Sequence, residues 1–154
     1  ELALALALRP TILMLDEPTA GMAPADRMQI VGLIQSIRRE RGVAVVNAAP
    51  YGSGMLAKGP DAYARYAYQD APAELVERAR KMAAICKEYD VPLAAAALQF
   101  SMRDPRIATT VVGMSRPERI AQTIELAQHP IPDELWARLD AVGYLTDDPE
   151  ANRW

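Results

Sequence analysis

A chain of 154 residues, 51% hydrophobic and 24% charged, has the make-up of a globular domain large enough to bury its own core. Its formal net charge of −3 argues against a nucleic-acid or anionic-membrane partner. A single cysteine, Cys86, excludes an internal disulfide and suits a reducing, cytoplasmic setting, and no apolar stretch reaches the roughly 20 residues of a membrane span.

In chain order, residues 1–8 are Leu- and Ala-rich and predict a helix that Arg9-Pro10 ends. The chain opens on Glu1 without a basic flank, so this is not a signal peptide, and the missing Met reads as a fragment or a trimmed chain. Ile12–Leu15 is a short apolar run, as expected of a strand buried on both faces. Pro24–Arg41 predicts an amphipathic helix carrying Met28, Val31, Ile34 and Ile37 on one face, with Gly42 just past its end. Val43–Val46 predicts a second strand. The Gly-, Pro- and Tyr-rich stretch NAAPYGSGMLAKGPDAYARYAYQD reads as a long loop, a length that usually signals function. A helix from about Pro72 to Tyr89 places Leu75, Ala79, Met82 and Cys86 on one face, where Cys86 reads as core packing. Pro92 opens another helix to about Met102. Ala108–Val112 is a third strand. Ser115 and Glu118 have capping-box spacing ahead of a further helix, and Pro132 opens a last one carrying Leu135, Trp136 and Leu139. The tail TDDPEANRW reads as frayed.

The expected fold is α/β: a partial, barrel-like parallel sheet of about three strands, near residues 11–15, 43–47 and 107–112 in that spatial order, with helices outside. Three strands cannot close a barrel. Apolar residues such as Leu13, Val45 and Val111 would then need cover from the Tyr-rich loop or from a second copy of the chain, so self-association is expected. The carboxyl ends of the strands would bring Asp16, Glu17, Asn47 and Gly113 to one rim.

Two motifs carry chemistry. ILMLDEPTAGMAP sets Asp16-Glu17 at a strand end, where one carboxylate can hold Mg²⁺ and the next can polarise a water against a terminal phosphate. Residues 1–46 resemble the Walker B region of an ATP-binding-cassette transporter ATPase of the branched-chain amino-acid importer type. That resemblance implies Mg²⁺-side and general-base roles for Asp16 and Glu17 toward ATP. No G-x-x-x-x-G-K-[ST] occurs in the sequence, Ala23 stands where the family has an Asp, and Asn47-Ala48-Ala49 stands where it has a switch histidine. No ATP hydrolysis is therefore expected, and Asp16-Glu17 reads first as a solvated pair at a strand end.

From Gly42 the texture differs. Gly52 and Gly54 allow backbone to approach a phosphate, Ser53 offers a hydroxyl, and Ser115 could cap a helix whose N-terminus favours an anion. The plain alternative is an ordinary Gly-Ser-Gly loop and an ordinary cap. GVAVVNAAPYGSGML and IATTVVGMSRPERIAQTIE make residues 42–142 resemble the C-terminal part of an aldo-keto reductase barrel of the NAD(P)-dependent aldose dehydrogenase type, acting on sugars such as L-fucose or D-threo-aldoses. The resemblance implies that Tyr51 and Ser53 lie along the dinucleotide pyrophosphate. It places Gly113, Met114 and Ser115 near the adenosine ribose, and Arg119, Gln122 and Thr123 at the adenine end. Gly113 stands where members that demand the 2′-phosphate carry Lys, which implies no strong NADP preference. The family's catalytic Tyr, Asp, Lys and His come from the first half of the barrel and have no counterpart here. His129 reads as a loop residue, and the tyrosines between Tyr51 and Tyr68 as contact or packing groups.

The sequence thus has the appearance of a chimera, with an ATPase-like segment over 1–46 joined inside GVAVV to a reductase-like segment over 42–154, the two expected to fold as one compact unit. Two readings of function stand: a dinucleotide-binding relative of an aldose dehydrogenase without turnover, and a structural or designed chimera whose only property is folding. An ATPase fragment is a third.

Overall fold

A computed structural model describes residues 36, 40, 42, 44–66, 69–105 and 107–142. The chain divides into two compact units, and Val46–Gly143 is the one that holds the elements discussed below, apart from the first residue of the opening strand. The predicted strand at 11–15 and the Asp16-Glu17 pair lie outside the described residues. Of the predicted 24–41 helix, Ser36 and Glu40 are helical, and Gly42 follows at a left-handed φ of 65°, the conformation that glycine adopts most easily after a helix.

Strand β1 spans Val45–Ala48 and strand β4 spans Ile107–Val111; they pair as a parallel two-stranded sheet. Both are displaced from the sequence expectation, β1 toward the C-terminus and β4 by one residue toward the N-terminus. In β1 the ladder extends past the valines to Asn47 and Ala48, and the Asn47 side chain finds a buried partner, described below.

The segment expected to be a loop is more ordered than that. It holds a 3-10 turn at Gly52–Gly54, a one-turn helix α1 at Met55–Lys58, and a two-residue antiparallel ladder between β2 (Arg65–Tyr66) and β3 (Gln69–Asp70). Sequence periodicity cannot reveal elements this short. Met55 is the anchor: it is 2% exposed and packs with Val76 and Ala79, with Leu56, Ala71, Leu75 and Met82 around it. The loop is therefore pinned by burial of a large side chain.

Helix α2 runs Ala73–Glu88 behind Pro72. Glu74 in its first turn and Lys87 in its last complement the helix dipole. It ends in a Schellman motif. Val91 N–H donates to Cys86 O at 3.0 Å, Asp90 N–H donates to Lys87 O at 3.2 Å, and Asp90 takes the left-handed φ of 55° that a glycine would usually supply. The accompanying apolar contact is present, since Val91 and Cys86 are buried in one cluster.

Helix α3 (Leu93–Met102) is the centre of the unit. Its alanines 95 and 96 are 0% and 3% exposed and let neighbouring backbones come close. It packs against α1, α2, β4 and helix α4 (Glu118–Gln128). The last helix, α5 (Asp133–Ala141), buries Leu135 and Trp136 against Cys86, Val91, Ala95 and Ala96. Complete burial of a side chain such as Leu135 stabilises by about 1.5–3 kcal/mol. Arg103 stacks its guanidinium 4.4 Å from the Trp136 ring centroid. Among the described residues no helix is long and apolar enough to cross a membrane.

Candidate functional site

The loops after β1 and β4 converge on one cleft. Ala49, directly after β1, donates its N–H to Val111 O at 3.3 Å, so the two strand ends are tied at the site itself. Ala49 sits at a left-handed φ of 55° and Ser53 at 56°, two non-glycine residues in a conformation that costs each about 1–2 kcal/mol. Gly52 and Gly54 flank Ser53 with φ of 51° and 98°. Gly54 N–H and Leu56 N–H both donate to Tyr51 O, at 3.0 and 3.1 Å, which closes the turn. Four consecutive residues, Tyr51 to Gly54, are thereby held in a tight coil, and Tyr51, Ser53 and Gly54 of it line the cleft.

The cleft has a volume of about 350 Å³, near the lower end of ligand-binding clefts. Tyr51 and Ser53 line it from the β1 loop, Gly113 from the end of β4, and Arg119, Gln122 and Thr123 from the first turns of α4. Ala57, Ala94, Val112 and Leu126 add apolar wall. Six of the eight expected cofactor residues thus share one cavity. Met114 and Ser115 do not line it. Met114 is 47% exposed, and its sulfur accepts from the Thr123 hydroxyl at 3.7 Å.

Ser115 is not a helix cap. Helix α4 begins at Glu118 behind Pro117 and has no side-chain cap. Arg119 N–H and Ile120 N–H instead donate to Arg116 O and Pro117 O, at 3.1 and 3.0 Å. Those turn bonds satisfy amides that a capping hydroxyl would have served, so the capping-box spacing goes unused.

Burial pushes the Tyr51 phenol above its ordinary pKa, while the nearby Arg119 charge pulls the other way. Burial therefore wins, and the phenol is a neutral hydrogen-bonding group at neutral pH. Asn47, expected on the rim, turns away from the cleft. Its Nδ2 donates to Ser101 Oγ at 2.6 Å, and Ser101 Oγ shares a 2.7 Å hydrogen bond with Thr110 Oγ1. Ser101 is 4% exposed, so this chain of polar groups links β1, α3 and β4 through a buried hydroxyl.

His129 closes α4, and its carbonyl accepts from Gln99 Nε2 at 2.8 Å, as does Leu126 O at the same distance. It is a connecting residue, as the sequence suggested. Cys86 is 1% exposed and its thiol is raised by burial, in keeping with core packing. Of the tyrosines, Tyr51 lines the cleft, Tyr63 lies under the Lys58 ammonium, and Tyr66 is 41% exposed. Tyr68 lies outside the described residues.

The sequence reading did not single out Lys58, which also lines the cleft. A signal existed: Lys58 follows Gly54 by one helical turn, so a turn-plus-helix reading of GSGMLAK would have aimed it back at the Gly-Ser-Gly segment. Among the described residues there is no cluster of His, Cys, Asp and Glu able to hold a metal ion.

The family described as "Aldo/keto reductase family" matches residues 19–143 of the chain. The chain belongs to the aldo/keto reductase family. Its aldo/keto reductase match starts well upstream of Gly42, where the sequence resemblance was first placed. Pyridoxal 4-dehydrogenase of Microbacterium luteolum is 38% identical over 110 residues, 71% of this chain and 32% of that protein. D-threo-aldose 1-dehydrogenase of a Pseudomonas species is 43% identical over 101 residues, 65% of this chain and 31% of that protein. The chain thus spans about a third of the length of these curated aldo/keto reductase relatives. A separate, shorter similarity links it to an energy-coupling factor transporter ATP-binding protein of Latilactobacillus sakei subsp. sakei, 46% identical over 41 residues, 27% of this chain and 14% of that protein. Aldo/keto reductase and transporter-ATPase similarities therefore coexist in one chain, as its chimera-like sequence implied.

Proposed function

We propose that this chain carries the dinucleotide-holding side of an NAD(P)-linked oxidoreductase site. The observation that carries this reading is the convergence of Tyr51, Ser53, Gly113, Arg119, Gln122 and Thr123 on one cleft. The residues fit such a group. A Cβ placed on Gly113 would meet nothing within 4 Å, so backbone is open to a ligand there. The Gly52–Ser53–Gly54 turn offers a hydroxyl beside closely approachable backbone, which suits phosphate oxygens. Arg119 brings a fixed positive charge, and Gln122 and Thr123 bring amide and hydroxyl groups that can hold a ribose or a base edge. Tyr51, neutral, donates or accepts without adding repulsion.

The bound dinucleotide would supply hydride-transfer chemistry. The protein's part is to bind and orient it. The names of the relatives direct the substrate class toward aldoses and related aldehydes or alcohols. The same proposal includes a third parallel strand near residues 11–15 and a division into an ATPase-like segment 1–46 and a reductase-like segment 42–154. It also includes a cytoplasmic site of action.

Calorimetric titration of the 154-residue chain with NAD⁺ and NADH tests the reading. Saturable one-site binding that weakens on Arg119→Ala is expected. Absence of binding at millimolar dinucleotide would refute it.

A further inference from the structure

Among the described residues, strand β4 has β1 on one edge and no strand on the other. Ala49 N–H donates to Val111 O, so Val111 turns its backbone groups toward β1. Successive residues of a paired strand alternate between its two edges, so Ala108 and Thr110 turn their N–H and C=O to the open one. A groove with a volume of about 370 Å³ follows that edge. Ile107, Ala108, Thr109 and Thr110 all line it, with Met102 of α3 and Ala127 of α4 as walls. Consecutive strand side chains point to opposite faces, so a groove touching all four runs along the edge rather than over one face. An open edge with unpaired backbone groups is a template for another strand. Beside it, Ile120, Ile124 and Ala127 recur at helical spacing on α4, and the two isoleucines are 52% and 51% exposed. An apolar stripe of that kind packs against another helix. The surface therefore matches a strand with a helix beside it, which is one βα unit.

The occupant follows from the family. Aldo/keto reductases are (β/α) barrels, and this chain spans about a third of the length of its curated relatives. β4 is the last strand of the matched segment. In a closed barrel of sequential parallel strands the last strand adjoins the first, and no edge stays open. We infer that the open edge of β4 and the apolar stripe of α4 form a docking surface for the opening βα unit of an aldo/keto reductase barrel, supplied by another polypeptide. The incoming strand lies parallel to β4 and pairs with Ala108 and Thr110, and its helix covers Ile120 and Ile124. This inference is independent of the dinucleotide reading.

The test titrates the full 154-residue chain with a synthetic peptide carrying the opening βα unit of the Pseudomonas D-threo-aldose 1-dehydrogenase. A scrambled peptide of the same composition is the control. Saturable binding of the first peptide alone is expected, with slowed hydrogen exchange at the Ala108 and Thr110 amides. Ala108→Pro removes an N–H from the open edge while sparing the β1 ladder, so it should abolish that binding. Ile120→Lys with Ile124→Lys, at exposed positions, should abolish it too and leave thermal unfolding unchanged. If Ala108→Pro unfolds the chain, the helix pair and the exchange pattern decide the matter. Binding that survives the helix pair, or leaves the exchange of Ala108 and Thr110 unchanged, overturns the inference, as does equal binding of the scrambled peptide or no binding at all. Slowed exchange at those two amides in the chain alone, as its concentration rises, makes a second copy the occupant and also overturns it.

Discussion

Asn47 donates its side-chain amide to the hydroxyl of Ser101 at 2.6 Å, across 54 residues of sequence. Ser101 in turn meets Thr110 at 2.7 Å. Three elements that position the cleft, β1, α3 and β4, are therefore joined by one buried hydroxyl.

Ser101→Ala is expected to destabilise the unit by about 1–3 kcal/mol, because the Asn47 amide and Thr110 hydroxyl lose a partner where water has little access. Urea unfolding with an unchanged slope and a lowered midpoint would measure it. A midpoint equal to that of the parent chain would show that water replaces the hydroxyl freely.

The same network shows where sequence reading stops. The helices were legible because Pro72, Pro92 and Pro132 stand just before three of them and apolar residues recur along them. The strands were legible as apolar runs, but their ends were not, because a polar Asn47 inside β1 finds its partner 54 residues away, beyond the reach of local pattern. Asp90 in the left-handed conformation was likewise invisible, since a glycine is the residue that usually marks such a helix end. In the cleft, family resemblance singled out Tyr51, Arg119 and their neighbours, while the Ser115–Glu118 spacing nominated Ser115 as a cap. Pro117 and two turn bonds displaced that cap. Lys58 went unnoticed because a one-turn helix has no period to detect.

The exposed pair between Glu88 and Arg138 gives a pH signature. Arg138 Nη2 meets Glu88 Oε1 at 3.2 Å, with a second, shorter contact between Nη1 and Oε2. The guanidinium also lies 5.6 Å from the Tyr89 ring centroid. The hydrogen bond from Arg138 holds the Glu88 carboxyl below its ordinary pKa. A depressed folded-state pKa contributes stability above the unfolded value, near 4.3, that is lost as pH falls through the folded value. The thermal midpoint of Glu88→Gln should therefore trail the parent by a small constant amount from neutral pH to about pH 5. The gap should close below about pH 4. A gap that widens in acid would contradict this assignment.

Cofactor choice follows from Gly113. A Cβ at that position would meet nothing within 4 Å, and glycine itself offers no cation to a 2′-phosphate. Arg119 is the charged residue of α4 that faces the cleft. NAD⁺ and NADP⁺ are expected to bind within tenfold of each other, about 1.4 kcal/mol. Gly113→Lys should shift the ratio toward NADP⁺. Competitive titration of the two forms decides it, and a parent chain that already prefers NADP⁺ by more than tenfold would refute the assignment.

Turnover is a separate matter from binding. Among the described residues lining the cleft, the side chains that titrate as acid or base are Tyr51 and Lys58 beside Arg119, and burial holds the Tyr51 phenol above its ordinary range. A group that must surrender a proton near neutral pH is poorly served by such a shift. The 154-residue polypeptide by itself is expected to bind dinucleotide without oxidising aldoses. An aldose-dependent rise in NADH absorbance that tracks protein concentration would show otherwise.

The last expectation concerns the sheet. Val46 on β1 and Val111 on β4 are 52% and 53% exposed. The Tyr-rich segment, which could have covered them, leaves them open and spends its own apolar anchor, Met55, on Val76 and Ala79. In a closed barrel, inward valines of neighbouring strands fill the interior. A two-stranded sheet, the extent of it among the described residues, cannot close on itself. Adjacent strands that expose β-branched side chains offer a flat apolar patch, and such patches favour association with a like surface. Ile120 and Ile124, one turn apart on α4, are 52% and 51% exposed and add to the apolar surface. We therefore expect concentration-dependent self-association through the sheet face. Val46→Lys with Val111→Lys should weaken it by placing like charges on both copies. Ile120→Lys with Ile124→Lys, on the helix, should weaken it less if the strands make the contact. Sedimentation velocity over a hundredfold concentration range reads the outcome. A parent chain that stays monomeric throughout would exclude the association, and a stronger effect from the helix pair would move the interface from the sheet to α4.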